Sequence, residues 1–227
     1  MTGARVVALV PAHDEADRVG DTVRALAGIP GVAEVVVVDD GSRDATAAIA
    51  LAAGATVLRV PRRAGKGHAV EGALRRLDQA DVWLLADADL GRTASGLDVL
   101  VRTVLDGRAD LAIAAFPPFE GGGLGIVKRF AARAIRLLSR FDPGEPLSGQ
   151  RAIGSGCLAA CRPLAGGFGL ETGMTIDAVR SGSRVKEVLV AGLSHRPSGR
   201  NLRGFLHRGR QGLDIARAVA ARAVRLR

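Results

Sequence analysis

The chain has 227 residues, of which 48% are hydrophobic and 24% charged, so it is long enough for one large or two small globular domains. No apolar stretch approaches the roughly 20 residues that cross a bilayer, and the N-terminal segment lacks the features of a signal peptide. Cys157 and Cys161 suit neither a disulfide framework nor a zinc knuckle, which indicates a reducing, cytoplasmic location.

Charge is distributed unevenly along the chain. Residues 1–128 contain 14 Lys/Arg and 17 Asp/Glu, a net charge of −3, whereas residues 129–227 contain 18 and 6, a net charge of +12. This excess predicts an anionic partner for the second half, such as a phosphorylated substrate, a nucleic acid or an anionic membrane surface. Because aromatic residues make up only 3% of the chain, base-stacking platforms are not expected, and we expect no nucleic-acid partner.

Strands and helices alternate through the first half. Continuous apolar runs predict strands at 5–10, 34–39, 55–60, 81–87 and 109–116. Helical spacing and glycine stops predict helices at 21–28, 43–54, 67–80 and 97–107. This alternation predicts an α/β fold with a mainly parallel sheet.

The second half is more helical and more basic. A glycine-rich loop at 117–125 precedes a basic amphipathic helix at 126–140. A further helix at 174–182, a strand at 184–193 and a basic C-terminal helix at 213–227 follow. Neither an internal repeat nor a long linker is visible, so we expect a single domain over 1–227.

Polar clusters follow the early strands. They read PAHDE (11–15), DDGS (39–42), AGKG (64–67) and DADL (87–90). Burying Asp39 and Asp40 is costly, so we expect them just past the end of their strand. One such cluster is equally well explained as a helix cap, but four at one sheet edge are typical of a nucleotide site.

The chemistry of two clusters is informative. Asp87 and Asp89, two residues apart at a strand end, suit a hard divalent cation, the alternative being a solvated loop. Lys66 between two glycines suits phosphate, the alternative being an ordinary turn. The motifs GxxxxGK[ST] and GxGxxG are absent, which argues against a P-loop and a dinucleotide fold.

Taken together, PAHDE, DDGSRDAT, AGKGHAV and DADL resemble the motifs P-A-x-N-E, D-D-G-S-x-D-x-T, G-K-G and D-x-D of GT-A fold glycosyltransferases of the family 2 type. The resemblance implies a GT-A (Rossmann-like) α/β fold, with a mainly parallel sheet flanked by helices and a basic helical C-terminal extension. It also implies a nucleotide-sugar donor half over 1–115 and an acceptor half over 116–227.

The resemblance implies roles for individual residues of the first half. It assigns the nucleotide-sugar donor to Pro11, Ala12, Glu15, Asp40, Lys66 and Asp87. It assigns a divalent metal, Mg²⁺ or Mn²⁺, to Asp87, Asp89 and His195. It also makes Asp89 a catalytic residue. Asp40 is read as an acceptor for a base N–H, Asp39 as a structural or ribose contact, and Asp44 and Thr46 as the start of a helix. Asp14 departs from the motif, which has Asn there, and an added carboxylate can change base or ribose contacts.

The second half resembles two groups within the family. PLSGQRAI (146–153) is similar to a segment of polyprenyl-phosphate glycosyltransferases, and GGFGLETGMTIDAV (166–179) followed by His195 is similar to glucosyl-3-phosphoglycerate synthases. Glu171 is then a catalytic candidate on the acceptor side, or simply complements a helix N-terminus. His195 is a metal ligand or an ordinary surface or core residue. Candidate contacts for the acceptor and its phosphate are Gln150, Arg151, Arg196, Arg203 and Arg208.

These expectations describe a metal-dependent glycosyltransferase that moves a sugar from a nucleotide-diphosphate sugar to a phosphate-bearing acceptor resembling phosphoglycerate. An alternative is a polyprenyl-phosphate glycosyltransferase at the inner membrane face, with peripheral membrane contact, and a homodimer is compatible with either. A nucleotidyltransferase should carry L-x-G-G-x-G-x-R after the first strand, where PAHDE stands instead. A basic nucleic-acid-binding protein would need no set of four polar clusters at one sheet edge.

Overall fold

The strands form one sheet. The structure is a computed structural model that describes residues 3–77, 79–116, 125–193 and 202–224, with the backbone alone for 202–211. Its strands are β1 (Val6–Ala12), β2 (Val32–Asp40), β3 (Thr56–Val60), β4 (Val82–Leu85), β5 (Leu111–Ala115), β6 (Arg151–Gly154) and β7 (Val185–Leu189). They are ordered β3-β2-β1-β4-β6-β5-β7.

The sheet is parallel except at one strand. β6 runs antiparallel to both of its neighbours, β4 and β5, whereas the other pairs are parallel. The predicted mainly parallel α/β fold is therefore confirmed. Because strands from both predicted halves, 1–115 and 116–227, share this sheet, we propose that they form a single domain.

Helices cover both faces of the sheet. They are α1 (Val19–Ala27), α2 (Thr46–Ala52), α3 (Lys66–Leu74), α4 (Asp98–Leu105), α5 (Gly125–Ser139), α6 (Ser155–Cys161), α7 (Gly169–Arg180) and α8 (Leu202–Val224), with a 3₁₀ helix at Gly91–Leu97 before α4. Alternate residues of β1 belong to opposite cores: Val6 packs in the core with α1 and α4, and Val7 in the core with α3, α6 and α7. This explains the unbroken apolar runs of the central strands.

Helix α7 begins at Gly169, five residues before the predicted start at 174. The prediction placed the start too late because two glycines lie in the first part of the helix. Glycine lowers helix propensity, and Gly169 and Gly173 lie in this first part. A Cβ added at Gly169 would lie 2.7 Å from the Ala218 side chain, and one at Gly173 would lie 2.7 Å from Arg222. Close packing against α8 therefore outweighs the local preference and fixes the helix.

The second half contains elements that the sequence analysis did not predict. β6 and α6 were not predicted as elements; Cys157 and Cys161 are free and buried on α6. The C-terminal helix begins at Leu202, well before 213. Within the described ranges, no helix is both long enough and apolar enough to cross a bilayer.

Candidate active site

Backbone and side-chain hydrogen bonds join the first two polar clusters. Asp14 has a left-handed backbone, φ 54°, and its carboxylate accepts a hydrogen bond from the Arg43 N–H. The Ser42 hydroxyl accepts one from the Asp14 N–H, and the Thr46 hydroxyl accepts one from the Glu15 N–H. Asn and Asp both tolerate this backbone and both supply an acceptor, so Asp14 serves here in place of the motif's Asn.

Asp39 and Asp40 are the last two residues of β2 and are buried, not just past the strand as expected. The Asp39 carboxylate accepts hydrogen bonds from the Ser42 N–H and from Arg59 Nε. These partners offset the desolvation of a side chain that is only 1% exposed. The structural role predicted for Asp39 is therefore the one that its contacts support.

Asp40 holds the loop that leads into α3. Its two carboxylate oxygens accept the N–H groups of Ala64 and Gly65, at 2.7 and 2.8 Å. A Cβ added at Gly41 would lie 2.9 Å from the Arg63 nitrogen, so this loop needs glycine for its close approach. Asp40 thus positions the backbone next to Lys66, and its predicted contact with a base N–H stays a prediction.

Lys66 begins α3 and lies between two carboxylates. Its Nζ is 2.6 Å from Asp87 Oδ1 at the end of β4 and 2.9 Å from Glu171 Oε1 in the first turn of α7. The Glu171 side chain is 7% exposed and that of Asp87 is 33% exposed. Three of the predicted site residues, separated by up to 105 positions in the sequence, therefore meet at one point.

Burial and charge act in opposite directions on this cluster. Burial raises the pKa of the Asp87 carboxyl, but the Lys66 ammonium and the hydrogen bonds outweigh burial and hold that pKa below its usual value. Burial lowers the pKa of Lys66, and the carboxylates of Asp87 and Glu171 more than compensate, so that pKa is raised. Lys66 and Asp87 are therefore both charged at neutral pH.

Gln150 and Gly149 complete the surroundings of Asp87. Gln150 Nε2 donates to Asp87 Oδ2 over 2.5 Å, and the residue is 1% exposed. A Cβ added at Gly149 would lie only 2.4 Å from Lys66 Nζ and 2.9 Å from Asp87 Oδ2. The loop before β6 therefore packs its backbone directly against the ion pair, which only glycine permits.

Arg151 lies beneath the site and is also 1% exposed. Its guanidinium donates to the carbonyls of Ser148 and Glu171 and to the Thr175 hydroxyl. Burial lowers the pKa of Arg151 to about 10, a value still well above neutrality. Its contacts face the protein interior, and contact with an acceptor phosphate, predicted for Gln150 and Arg151, stays a prediction.

Asp89 follows Asp87 on a turn that is anchored to α1. The Asp89 carbonyl accepts a hydrogen bond from Arg18 Nη1, and the Ala88 carbonyl accepts one from the Thr22 hydroxyl. The negative charge of Asp89, two residues further along the chain, raises the pKa of the Asp87 carboxyl. A divalent cation would neutralise this repulsion, as predicted for the DADL segment.

A cleft of about 770 Å³ opens beside Lys66. Four predicted donor residues line it, namely Pro11, Ala12, Asp40 and Lys66. The cleft is also lined by His13, Arg63, Ala64, Gly65 and His68. The size suits a nucleotide-sized ligand. The other two predicted donor residues, Glu15 and Asp87, are outside the lining.

A second part of the cleft lining was not predicted. It consists of residues 163–168 and of one face of α8, including Asp214, Arg217 and Arg222. The Asp214 carboxylate accepts the Phe168 N–H at 3.4 Å, which links the two segments of this lining. Basic residues at helical spacing were visible in the C-terminal sequence, but no local signal indicates that this helix packs back onto the cleft.

Several predicted residues fall where the structure gives no side chain. His195 and Arg196 lie outside the described residues. Arg203 and Arg208 belong to α8, of which only the backbone is described at these positions. Among the described residues, no group of three His, Cys, Asp or Glu side chains is arranged to hold a metal ion. Asp87 and Asp89 are thus two described carboxylates of the predicted ligand set.

Curated relatives include two proteins named for a glycosyl-transfer activity. The chain is 29% identical over 187 residues to glycosyltransferase AglJ of Haloferax volcanii, covering 81% of this chain and 61% of that protein. It is 30% identical over 199 residues to the glucosyl-3-phosphoglycerate synthase of Mycolicibacterium paratuberculosis, covering 77% of this chain and 60% of that protein. The chain therefore spans about three fifths of the length of these relatives.

Solved structures share the fold over almost the whole chain. The glucosyl-3-phosphoglycerate synthase from Mycobacterium tuberculosis, in complex with Mg²⁺ and uridine diphosphate, superimposes with a TM-score of 0.81 at 26% identity, covering 97% of this chain and 79% of that one. A crystal structure of the same enzyme with Mn²⁺, UDP-glucose and phosphoglyceric acid gives 0.79 at 25% identity, covering 97% and 80%.

The family itself is identified over most of the sheet. The model of the family described as Glycosyl transferase family 2 matches residues 7–162, which is more than half of the chain and includes all four polar clusters. The resemblance of the motifs, the GT-A architecture of the matched structures and this match agree. The chain belongs to glycosyl transferase family 2.

Proposed function

We propose that this protein transfers a sugar from a nucleotide-diphosphate sugar to a phosphate-bearing acceptor in a reaction that requires Mg²⁺ or Mn²⁺. The observation that carries this proposal is the position of Lys66. Its ammonium group is held by Asp87 and Glu171 and lines a nucleotide-sized cleft. A fixed ammonium at such a place suits a ligand with concentrated negative charge, such as a diphosphate.

The described carboxylates fit a divalent cation. Asp87 and Asp89 are hard oxygen donors on one turn, and the charge of Asp89 raises the pKa of the Asp87 carboxyl. His195, from outside the described residues, is proposed as a further ligand. When bound, the metal would supply positive charge that stabilises the leaving diphosphate.

The protein's own groups divide the remaining tasks. Pro11, Ala12 and Asp40 line the cleft, and we assign base and ribose binding to them together with Glu15. Lys66 would bind the diphosphate, where its charge favours departure of the leaving group. To do so it exchanges part of its contact with Asp87 or Glu171 for phosphate oxygens.

Gln150 and Arg151 are better placed to support this site than to bind the acceptor directly. Gln150 fixes one oxygen of Asp87, and Arg151 fixes the backbone carbonyl of Glu171. Both side chains are almost completely buried. We therefore propose that they orient the two carboxylates around Lys66, and that the acceptor phosphate is bound by Arg196, Arg203 and Arg208.

Glu171 is the candidate for the acceptor-side base. It faces Lys66 at the start of α7, next to the cleft wall at 163–168. A base is needed if a hydroxyl group attacks, whereas an acceptor that reacts through its phosphate needs none. Loss of transfer in Glu171→Gln with unchanged donor affinity would support the role of base.

The acceptor is proposed to be a soluble phosphorylated acid. Support comes from the +12 charge of residues 129–227 and from relatives named glucosyl-3-phosphoglycerate synthase, one of them solved with phosphoglyceric acid. A polyprenyl phosphate at the membrane is the second candidate, which the similarity of residues 146–153 favours. We also propose a cytoplasmic location with peripheral membrane contact, and a homodimeric assembly.

An activity assay separates these candidates. UDP-glucose, GDP-mannose and ADP-glucose are each incubated with phosphoglyceric acid, glycerol 3-phosphate or a polyprenyl phosphate, with MnCl₂ or with EDTA. We expect transfer to a phosphorylated acid with metal, and none in Asp89→Asn. Transfer to the lipid phosphate alone would overturn the soluble acceptor, and metal-independent transfer would overturn the metal site.

A further inference from the structure

Helix α5 presents an exposed surface that the proposed reaction does not use. Among large apolar side chains that the structure describes as exposed, three lie on this one helix: Ile126 at 77%, Phe130 at 44% and Leu137 at 70%. Their spacing of four and seven residues puts them along one line of the helix. The others lie on α2, α4, β7 and α8, with two of them, Leu213 and Val224, on α8.

A line of arginines runs beside these apolar residues. Arg129, Arg133 and Arg136 are exposed and recur at intervals of three or four residues, and the exposed Arg140 directly follows the last residue of the helix, Ser139. Arg136 pairs with Asp142 beyond the helix, and α5 itself contains neither Asp nor Glu. The exposed face of α5 therefore combines apolar and cationic side chains and lacks acidic ones.

The opposite face of α5 is fixed to the protein. Ala131, Ala134 and Ile135 are buried, and the helix packs against α7 and α8. Arg180 Nε of α7 donates to the Leu138 carbonyl over 2.8 Å, which ties the two helices together at this end. The exposed face is thus presented on a rigid support, and its 15 residues extend for about 22 Å.

From these observations we infer that the α5 face, defined by Ile126, Phe130, Leu137 and the four arginines, docks on an anionic lipid bilayer. A helix with an apolar line and adjacent arginines can lie in the interface, with apolar side chains among the acyl chains and arginines at lipid phosphates. Ile126, Phe130 and Leu137 follow one another along one line of α5, whereas the exposed large apolar side chains described on α8, Leu213 and Val224, are eleven positions apart, so α5 is the better membrane-binding element of the two.

Charge disfavours a second copy of this chain as the partner. In a two-fold symmetric contact the same face meets itself, so four arginines from each copy would lie opposite one another without acidic partners on α5. An anionic bilayer instead complements the whole face. The inference is independent of the acceptor, because vesicle binding is measured without any reaction.

Vesicle flotation tests the inference with two variants and matched controls. The apolar variant replaces the three large residues with serine: Ile126→Ser, Phe130→Ser, Leu137→Ser. Its control changes three apolar residues of similar exposure elsewhere: Leu51→Ser, Leu105→Ser, Leu189→Ser. The charge variant is Arg129→Gln, Arg133→Gln, Arg140→Gln, and its control is Arg43→Gln, Arg76→Gln, Arg108→Gln.

We expect the unchanged protein to float with phosphatidylcholine–phosphatidylglycerol vesicles and not with phosphatidylcholine alone. Each α5 variant should weaken this binding at least tenfold, the charge variant by up to roughly 100-fold at low salt, whereas each control changes it less than threefold. Equal losses in variants and controls, or no binding to anionic vesicles, would overturn the inference. Concentration-dependent dimerisation that the apolar variant abolishes, without vesicle binding, would assign the face to a second copy instead.

Discussion

At the scale of single residues, Lys66 carries most of the proposed donor site. Its ammonium is shared between Asp87 and Glu171 and stands at the cleft wall. A charge-assisted hydrogen bond to a phosphate is worth about 1.5–3 kcal/mol. Lys66→Ala should therefore weaken binding of a nucleotide diphosphate by roughly 10- to 150-fold, and that of the nucleoside by less than about threefold.

Calorimetric titration of both ligands measures this difference, with Lys186→Ala as the control because that lysine is exposed on β7. Equal losses for the nucleotide diphosphate and the nucleoside would mean that Lys66 acts through the structure of its loop. The assignment of Lys66 to the diphosphate would then be wrong.

The pH dependence of stability tests the ion pair itself. Partners in the folded protein hold the pKa of Asp87 below its usual value, whereas in the unfolded chain it lies near 3.9. The stabilisation by Asp87 is therefore present above about pH 4 and is lost as pH falls through the lower, folded-state pKa. Urea unfolding of the protein and of Asp87→Asn from pH 7 to pH 2.5 should give a stability difference that shrinks below pH 4. A difference that is constant over this range would contradict the pairing.

At the scale of elements, the loop before β6 must approach the ion pair without a side chain. A methyl group at Gly149 would lie 2.4 Å from Lys66 Nζ, so Gly149→Ala has to displace the ammonium or the loop. We expect at least a tenfold loss of nucleotide-diphosphate affinity. The control is Gly156→Ala in α6, where a Cβ meets nothing within 4 Å and stability should rise by up to about 1 kcal/mol. Unchanged affinity in Gly149→Ala would show that Lys66 is not held where its contacts indicate.

The packing of α8 on α7 depends on a buried ion pair. Arg222 and Asp177 have side chains only 6% and 10% exposed, and Arg222 Nε donates to Asp177 Oδ2 over 2.8 Å. Removing one member leaves a buried charge, which typically costs about 3–5 kcal/mol. We expect such a loss for Arg222→Met in urea unfolding, and a much smaller one for the double change Arg222→Met, Asp177→Leu.

Arg217→Met is the control for this comparison, because Arg217 is on the same helix with a side chain that is 80% exposed. Its stability should change by no more than about 0.5 kcal/mol. If Arg222→Met behaved like this control, α8 would not be held by the pair, and its place as a cleft wall would need another explanation.

The sequence predicted the elements that have a strong local pattern. The valine-rich β2 and the glycine-terminated α1 were found within about two residues of their expected bounds, because local spacing and burial agree there. β6 was missed because its four residues, Arg151–Gly154, include an arginine and a glycine and form no apolar run. The start of α7 was missed because its glycines serve contacts with α8, a distant part of the chain.

The sequence likewise predicted only the part of the candidate site that has local motifs. Strand-end motifs brought Asp40, Lys66 and Asp87 to one edge, and the structure has them there. The cleft wall from α8 was not predictable, because only tertiary packing brings Asp214 next to Phe168. The burial of Arg151 could not be predicted either. An arginine near a phosphate-site motif is more readily interpreted as a ligand-binding residue than as a buried residue that hydrogen-bonds within the protein.

At the scale of the whole molecule, the acidic first part and the basic second part of the sequence supply different elements of the fold. Residues 1–128, at −3, supply β1 to β5 and the carboxylates proposed for the metal, whereas residues 129–227, at +12, supply β6, β7, the cleft lining at 163–168 and α8. Carboxylates proposed for a metal, together with a basic second half, suit a ligand with both a metal-bound diphosphate and further negative charge. This arrangement is why an anionic acceptor is proposed.

The central claim is that a nucleotide-diphosphate sugar and a divalent cation bind together at the edge formed by Lys66, Asp87 and Asp89. A thermal-unfolding screen of nucleotide-diphosphate sugars with MnCl₂ or EDTA tests it most directly, on the unchanged protein and on Asp89→Asn. A donor at 100 times its Kd should stabilise the protein by about 2.7 kcal/mol. We expect this stabilisation with metal, less with EDTA, and no effect of metal in Asp89→Asn. Stabilisation that is the same with EDTA and in Asp89→Asn, or none with any donor in the presence of metal, would contradict the account.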